Sequence, residues 1–275
     1  MKRKIGVTTW VFGINELVDT AEVIAKMGFD GVELFVDVDR VFPKDVKHIF
    51  ADRGLEIFSM TPANVDLGSS DRNSRKSAID YYKKLIDFGA QLGEPIIVCH
   101  EYIQNQMGSM YAGSIELLSE SCREISVYAE PANIKLGFEP LNRYLCRFIL
   151  KSTDAISLFD LVNASNMTAV LDAFHMNLEE DDPVKAILRC KERLSLYQIS
   201  DSNRKGIGFG HIDFNPHFAA LDAIQYTGPI IIECATPRQT PSSQVAINLD
   251  ELKLNLSTSL DWLTDKNKTD ALVIA

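Results

Sequence analysis

The sequence predicts a single-domain (β/α)8 TIM barrel, an α/β fold in which eight parallel strands alternate with helices. Its length of 275 residues is close to the ~250 residues typical of this fold. Eight short apolar runs alternate with stretches of helical periodicity, as a barrel of this type requires. An open doubly wound sheet would instead be expected to carry a glycine-rich phosphate-binding turn after its first strand, and residues 8–13, TTWVFG, do not form one.

The predicted strands are short, apolar and mostly rich in β-branched residues. They cover residues 5–8, 31–35, 55–59, 95–99, 134–139, 168–172, 195–200 and 229–233. Between them, apolar residues recur every three or four positions, which predicts helices. This periodicity is clearest over residues 16–27, 77–92 and 115–129.

Glycines support this division into strands and helices. Gly28, Gly54 and Gly93 each follow a helical pattern and precede a strand, where a residue in the left-handed conformation is favoured. We assign the same role to Gly228, before the last predicted strand. No linker rich in proline, glycine or serine interrupts the chain. We therefore predict one barrel domain over residues 1–265 and a C-terminal tail over residues 266–275, which is either a frayed end or an oligomer contact.

Charge and composition favour a small-molecule partner. A net charge of −10 argues against binding to nucleic acid or to a membrane surface, because both are anionic. No segment approaches the ~20 consecutive apolar residues that span a bilayer. The first residues do not resemble a signal peptide. The five cysteines are scattered without CxxC spacing, which argues against both a disulfide framework and a thiolate zinc site. We therefore expect a cytoplasmic protein.

Four consecutive predicted strands carry, at or near their ends, a side chain that offers an oxygen ligand. These residues are Glu139, Asp172, Gln198 and Glu233, and they are 33, 26 and 35 residues apart. Each interval is about one βα unit long. In a closed parallel barrel the carboxyl ends of the strands share one face, so these side chains converge. The sequence therefore predicts a divalent metal site formed by all four.

The predicted ligands favour a hard cation. Carboxylate and amide oxygens suit Mn2+, Mg2+ or Co2+ better than an ion that prefers thiolates. We predict one divalent ion, with Mn2+ favoured and Mg2+, Co2+ or Zn2+ as alternatives. Three carboxylates leave the site with a net negative charge after a divalent ion binds, which favours a neutral polyol-like or carbonyl substrate.

A metal held between two glutamates suits proton transfer at a carbon next to a carbonyl. A vicinal hydroxyketone can chelate the ion through both oxygens, which acidifies the intervening C–H bond and stabilises an enediolate. One glutamate would remove the proton, and the other, on the opposite face, would return one.

Several segments carry a resemblance to a known family. They are DGVEL at 30–34, FEPLNR at 138–143, LDAFHMN at 171–177, DSNR at 201–204, GFGHIDF at 208–214 and IIIE at 230–233. With these segments the chain resembles the xylose isomerase-like TIM barrels. Within that family it is most similar to the ketose 3-epimerases of the tagatose/psicose epimerase type.

The resemblance implies a metal-dependent sugar or sugar-phosphate epimerase or isomerase, and a homodimer or homotetramer. It implies that Glu139, Asp172 and Glu233 bind the metal and that Glu139 and Glu233 are also the acid/base pair. His175 and Arg204 lie where the family holds substrate oxygens.

Two further residues are candidates for substrate contacts. His211 lies in a glycine-flanked loop and would reach a substrate hydroxyl or phosphate, with loop scaffolding as the alternative. Glu33 ends the second predicted strand, and a purely structural contact is its alternative.

The sequence departs from the free-ketose epimerases at two positions. Gln198 stands where these enzymes usually have a histidine ligand, although relatives resembling hydroxypyruvate isomerases also have glutamine there. Leu145 stands where they have a second glutamate that contacts the substrate. The resemblance therefore leaves the particular sugar open.

Three other functions compete with the epimerase hypothesis. An inosose dehydratase-like or hydroxypyruvate isomerase-like enzyme would use the same metal site. An apurinic-site endonuclease shares the barrel, but it needs extra histidines and a cationic DNA groove, whereas this chain has five histidines and is acidic. A non-catalytic sugar-binding barrel is the remaining alternative.

Overall fold

Eight parallel strands close into one barrel in the part of the chain that the computed structural model describes, residues 2–13, 16–102, 113–235 and 247–273. The strands are β1 (Ile5–Thr8), β2 (Gly31–Leu34), β3 (Glu56–Met60), β4 (Ile96–Cys99), β5 (Leu136–Phe138), β6 (Met167–Asp172), β7 (Leu194–Ile199) and β8 (Ile230–Ile232). Each strand pairs with its neighbours in sequence, and β8 pairs with β1. The predicted (β/α)8 fold is confirmed.

Helices follow the strands around the outside of the barrel. They are α1 (Leu17–Met27), α2 (Pro43–Ala51), α3 (Arg72–Leu92), α4 (Ile115–Ala129), α5 (Ser152–Val162), α6 (Ala173–Glu179), α7 (Pro183–Cys190), α8 (Asn215–Ala223) and α9 (Leu249–Val273). Within the described ranges, none of these helices is both long and apolar enough to cross a bilayer.

The boundaries of the predicted strands differ from the observed ones by at most two residues. The strands β5 and β8 end just before Glu139 and Glu233, but their hydrogen-bond ladders continue through both residues. The N–H of Glu139 donates to the carbonyl of Cys99 at 2.8 Å, and the N–H of Glu233 donates to the carbonyl of Ile199 at 3.0 Å. Both glutamates are therefore held by the barrel.

The unit between β6 and β7 contains two helices where the alternation suggested one. Asp182 ends the connection between them, and its carboxylate accepts a hydrogen bond from the N–H of Lys185 at 3.1 Å. Pro183 is the first residue of α7, a position where its missing N–H costs nothing. This Asp-Pro pair starts a new helix.

Three of the four glycine predictions are confirmed. Gly28, Gly54 and Gly93 have φ angles of 88°, 70° and 116°. The prediction for Gly228 is wrong, because Gln225, with φ of 57°, takes the left-handed conformation after α8. Gly228 is needed for a close approach instead, since a Cβ atom there would lie 2.4 Å from the hydroxyl of Tyr226.

An apolar layer fills the barrel below the carboxyl ends of the strands. Its buried members are Val98, Val170, Leu196 and Ile231. Because side chains alternate along a strand, residues two positions further along point to the same interior. Those residues are His100, Asp172, Gln198 and Glu233. The layer therefore supports a polar layer directly above it.

The last helix, α9, continues to Val273 and passes residue 265, where the sequence analysis ended the barrel domain. The division into a barrel domain at 1–265 and a tail at 266–275 stays a prediction.

His217 on α8 is buried against the outer face of the barrel. The hydroxyl of Tyr197 on β7 and Nδ1 of His217 share a hydrogen bond of 2.7 Å. Burial lowers the pKa of His217 to about 4, because a charged imidazolium is costly away from water. The nearby Asp213 and Asp182 act in the opposite direction but do not offset burial.

His217 is therefore expected to make the fold less stable as the pH falls from about 6.5 to about 4. In that range the unfolded chain binds a proton at His217 that the folded protein rejects, at up to ~1.4 kcal/mol per pH unit. We expect the difference in unfolding free energy between the wild type and His217→Gln, measured by urea denaturation, to shrink across this range. A difference that does not change with pH would contradict the assignment.

Candidate active site

Four oxygen-bearing side chains lie together at the carboxyl end of the barrel strands. Asp172 and Gln198 are register partners on β6 and β7. Glu139 and Glu233 directly follow β5 and β8. The relative exposures of the four residues, in chain order, are 5%, 1%, 0% and 6%. The barrel thus collects three carboxyl groups and one amide in a largely water-free region.

Glu139, Asp172 and His175 form the tightest part of this cluster. Each offers one metal-ligating atom, and these atoms all lie within 4.8 Å of one another. Asp172 caps α6, since its Oδ1 accepts hydrogen bonds from the N–H groups of Phe174 at 2.6 Å and His175 at 3.3 Å. This cap places His175 in the first turn of the helix, with its Nε2 atom 3.7 Å from Oε1 of Glu139.

Arg204 connects two of the carboxyl groups. Its Nη1 atom lies 2.5 Å from Oδ2 of Asp172, and its Nη2 atom lies 3.0 Å from Oε2 of Glu233. The guanidinium also lies over the ring of Phe174, 4.9 Å from its centre. A planar, permanently charged group thus sits between carboxylates and an aromatic face, an arrangement that arginine suits better than lysine.

The backbone that carries Arg204 is strained. Arg204 has a φ angle of 63°, a left-handed conformation that costs a non-glycine residue roughly 1–2 kcal/mol. Two hydrogen bonds hold it there, because its N–H donates to the carbonyl of Asp201 and its carbonyl accepts from the N–H of Ala235, both at 2.8 Å. Strain of this kind is concentrated at functional sites.

Trp10 fixes the carboxyl group of Glu233. It lies in a short 3-10 helix that follows β1, and its indole N–H donates to Oε1 of Glu233 at 2.9 Å. This hydrogen bond joins residues 223 positions apart, so no local sequence pattern predicts it. One oxygen of Glu233 is thus held by Trp10, and the other lies beside Arg204.

Glu33 lies beside Gln198 in the barrel interior and is fully buried. The amide nitrogen of Gln198 donates to both carboxyl oxygens of Glu33, at 3.2 and 3.3 Å. The hydroxyl of Ser59 donates to Oε2 of Glu33 at 2.9 Å. Burial raises the pKa of Glu33 to about 7, and these hydrogen bonds partly oppose the shift. A substrate contact for Glu33 stays a prediction.

The acidic groups of the cluster titrate differently. Burial raises the pKa of Glu139 and of Glu233 well above the usual range, and neighbouring carboxylates add to both shifts. Burial would also raise the pKa of Asp172, but the Arg204 guanidinium beside it holds that pKa well below its ordinary value. Two glutamates with raised pKa values therefore accompany one aspartate with a lowered pKa, and shifts of this kind are typical of acid/base sites.

Comparison with protein families supports the resemblance found in the sequence. The model of the xylose isomerase-like TIM barrel family matches residues 21–266. The chain belongs to this family.

Individual relatives of this xylose isomerase-like barrel are sugar epimerases. It is 35% identical over 219 residues to the L-ribulose 3-epimerase of Methylomonas sp. (strain DH-1), covering 76% of this chain and 75% of the relative. It is 27% identical over 213 residues to the ketose 3-epimerase of Arthrobacter globiformis, covering 76% and 74%. A solved structure of an L-ribulose 3-epimerase superposes with a TM-score of 0.84 at 20% identity, covering 100% and 98%, which supports the fold.

His211, the remaining candidate in this xylose isomerase-like barrel, lies in the loop between β7 and α8. Its Nδ1 atom lies 2.9 Å from the hydroxyl of Ser202, and its N–H donates to the same hydroxyl at 3.1 Å. His211 is exposed, and both of these contacts lie within its own loop. A contact between His211 and the substrate stays a prediction.

A buried ion pair joins the loops around the barrel mouth, and the sequence analysis missed it. Nε of Arg147, after β5, lies 2.5 Å from Oε1 of Glu101, after β4. Nη2 of Arg147 lies 2.6 Å from Asp66, after β3, and the N–H of Phe148 donates to Glu101 at 3.0 Å. Three neighbouring loops are therefore tied to one guanidinium.

Removing one partner of this pair is expected to destabilise the fold. Glu101→Gln would leave a buried guanidinium short of one counter-charge, and breaking a buried pair in this way costs about 3–5 kcal/mol. Urea denaturation of Glu101→Gln measures the loss. Lys26→Ala, which breaks the exposed Lys26–Glu22 pair, is the control and should unfold like the wild type. Equal stability of all three proteins would contradict a structural role for the Glu101–Arg147 pair.

Proposed function

We propose that this protein is a divalent-metal-dependent ketose 3-epimerase that acts on a sugar or sugar phosphate by proton transfer next to the carbonyl. The observation that carries the proposal is that two buried glutamates, Glu139 and Glu233, lie in one cluster with Asp172 and Arg204. The two glutamates come from β5 and β8, on either side of β6 and β7. The L-ribulose and ketose 3-epimerase relatives support the same reaction.

The residues at the site fit a metal ion. Oε1 of Gln198 is buried and has no hydrogen-bond partner within the described ranges, so this oxygen is available to bind a metal ion. The other donors are carboxylate oxygens, which hard divalent cations prefer. Glu139, Asp172, Gln198 and Glu233 would hold the ion, with Mn2+ favoured over Mg2+, Co2+ or Zn2+. When bound, the ion would stabilise negative charge that develops on substrate oxygens.

His175 is better suited to hold the substrate than to hold the metal. The backbone N–H of Asn142 donates to Nδ1 of His175 at 3.3 Å, so Nδ1 is an acceptor. Burial lowers the pKa of His175 to about 4, which keeps the ring neutral at pH 7. A neutral ring with an acceptor at Nδ1 carries its proton on Nε2. Nε2 lies beside Glu139 and would donate to a substrate oxygen there.

We assign proton transfer to Glu139 and Glu233. Burial raises the pKa of both side chains, which makes each carboxylate a stronger base than an exposed one, so one glutamate can accept the substrate proton and the other can return one. Trp10 holds one oxygen of Glu233, which restricts the carboxylate to one orientation. Arg204 would bind a substrate oxygen from its position between Asp172 and Glu233.

We also propose a cytoplasmic location and a homodimeric or homotetrameric assembly. All five cysteines are buried and unpaired, which suits a reducing compartment. The assembly is supported by the family resemblance alone.

Replacing either glutamate by glutamine is expected to stop proton exchange. Glu139→Gln and Glu233→Gln keep the shape of the side chain but remove the base, so exchange should fall by about 100-fold or more. NMR of L-ribulose with Mn2+ in D2O measures deuterium incorporation next to the carbonyl. Glu56→Gln, at the opposite end of the barrel, is the matched control and should exchange like the wild type. Normal exchange in Glu139→Gln or Glu233→Gln would reject the acid/base assignment.

Arg204→Ala is expected to raise KM more than it lowers kcat. A charge-assisted hydrogen bond to a bound oxygen contributes ~1.5–3 kcal/mol, so KM should rise by roughly 10- to 100-fold. Steady-state kinetics with the same ketose measure both constants. An unchanged KM would show that Arg204 does not hold the substrate.

A further inference from the structure

Gln198 has two chemically different ends, and only one of them can bind a cation. Its amide oxygen is an acceptor and a potential ligand, whereas its amide nitrogen carries two hydrogens and would repel a metal. Rotation of the amide group by 180° exchanges the two. A site that uses Gln198 therefore needs a group that fixes the orientation of the amide.

Glu33 provides that constraint. The two carboxyl oxygens of Glu33 accept hydrogen bonds from the amide nitrogen of Gln198, which turns the amide oxygen away from Glu33. Both carboxyl oxygens of Glu33 lie within 3.3 Å of Nε2. Oε1 of Gln198 is left buried without a partner among the described residues. Asp172 is the register partner of Gln198 on β6, so Gln198 lies beside the acidic cluster.

Glu33 is itself held in place. Ser59 lies on β3, next to β2, and donates its hydroxyl hydrogen to Oε2 of Glu33 at 2.9 Å. Glu33 and Ser59 are register partners on β2 and β3, and both are fully buried. Its carboxylate is therefore a fixed acceptor inside the barrel.

We propose that Glu33 is a positioning residue for the metal site: its carboxylate holds the amide nitrogen of Gln198 so that Oε1 of Gln198 is presented to the cation. This inference rests on the proposed metal site. It goes beyond that site because Glu33 is not one of the four proposed ligands. Glu33 would nevertheless determine how tightly the metal binds.

Metal affinity tests the proposal without measuring activity. Isothermal titration of Mn2+ into the metal-free full-length protein gives the dissociation constant. Loss of a group that orients a ligand typically costs about 10- to 100-fold in metal affinity. Glu33→Gln can accept or donate towards Gln198, so it no longer selects one amide orientation. Glu33→Asp keeps the charge but withdraws the carboxyl group by one methylene. Both variants should bind Mn2+ at least about 10-fold more weakly.

A double-mutant cycle separates positioning from a general effect of charge. In the Gln198→Ala background no amide remains to be oriented, so adding Glu33→Gln should change the Mn2+ affinity less than about twofold. An equal loss in both backgrounds would mean that Glu33 acts only through its charge and would overturn the proposal. Glu33→Asp with wild-type affinity would overturn it as well, and it serves as the test if Glu33→Gln does not fold.

Asp172→Asn distinguishes failure of this inference from failure of the metal site. If the wild type binds no Mn2+, or if Asp172→Asn binds it as the wild type does, the metal site is wrong and the role of Glu33 falls with it. If the wild type binds Mn2+, Asp172→Asn binds it weakly and both Glu33 variants bind normally, only the role of Glu33 is wrong.

Discussion

The structure depends on the burial of several acidic groups in one barrel mouth. Glu33, Glu139, Asp172 and Glu233 all lie below 7% exposure, where like charges repel strongly and water cannot screen them. Arg204 is the one guanidinium that contacts this group among the described residues. It pairs with Asp172 and approaches Glu233. Burial raises the pKa of Glu139 and of Glu233, and the neighbouring carboxylates add to both shifts. A bound divalent cation would offset most of the remaining negative charge.

The barrel scaffold makes this concentration of charge sustainable. Strand hydrogen bonds fix the backbone of Glu139 and Glu233 on the neighbouring strands. The apolar layer fills the barrel below these side chains. Hydrogen bonds to Glu233 from Trp10 and to Glu33 from Ser59 satisfy individual oxygens. Position and charge are therefore set by rigid elements, as an acid/base site requires.

The sequence predicted the strands and the residues at their ends because both follow from local patterns. A strand alternates with period two, so Asp172, Gln198 and Glu233 each follow an apolar interior residue by two positions, and a parallel barrel brings such ends together. Gly228 was misassigned because glycine serves both left-handed turns and close contacts, and only the position of Tyr226 distinguishes the two.

The contacts that tune the site could not be read from the sequence. Trp10 and Glu233 are 223 residues apart, Glu33 and Gln198 are 165 apart, and Glu101 and Arg147 are 46 apart. Each pair forms only after the barrel closes, so no local spacing in the sequence predicts it. The aromatic and acidic residues involved are also common in ordinary cores and loops.

The proposed function requires one cation held by residues from four strands, and anomalous diffraction tests for this cation most directly. Crystals soaked in Mn2+ would be measured at the manganese absorption edge. We predict one strong anomalous peak at the barrel mouth, with oxygens of Glu139, Asp172 and Glu233 and Oε1 of Gln198 at about 2.0–2.6 Å from it. A peak elsewhere, no peak, or a peak that Gln198 faces with its nitrogen would contradict the account.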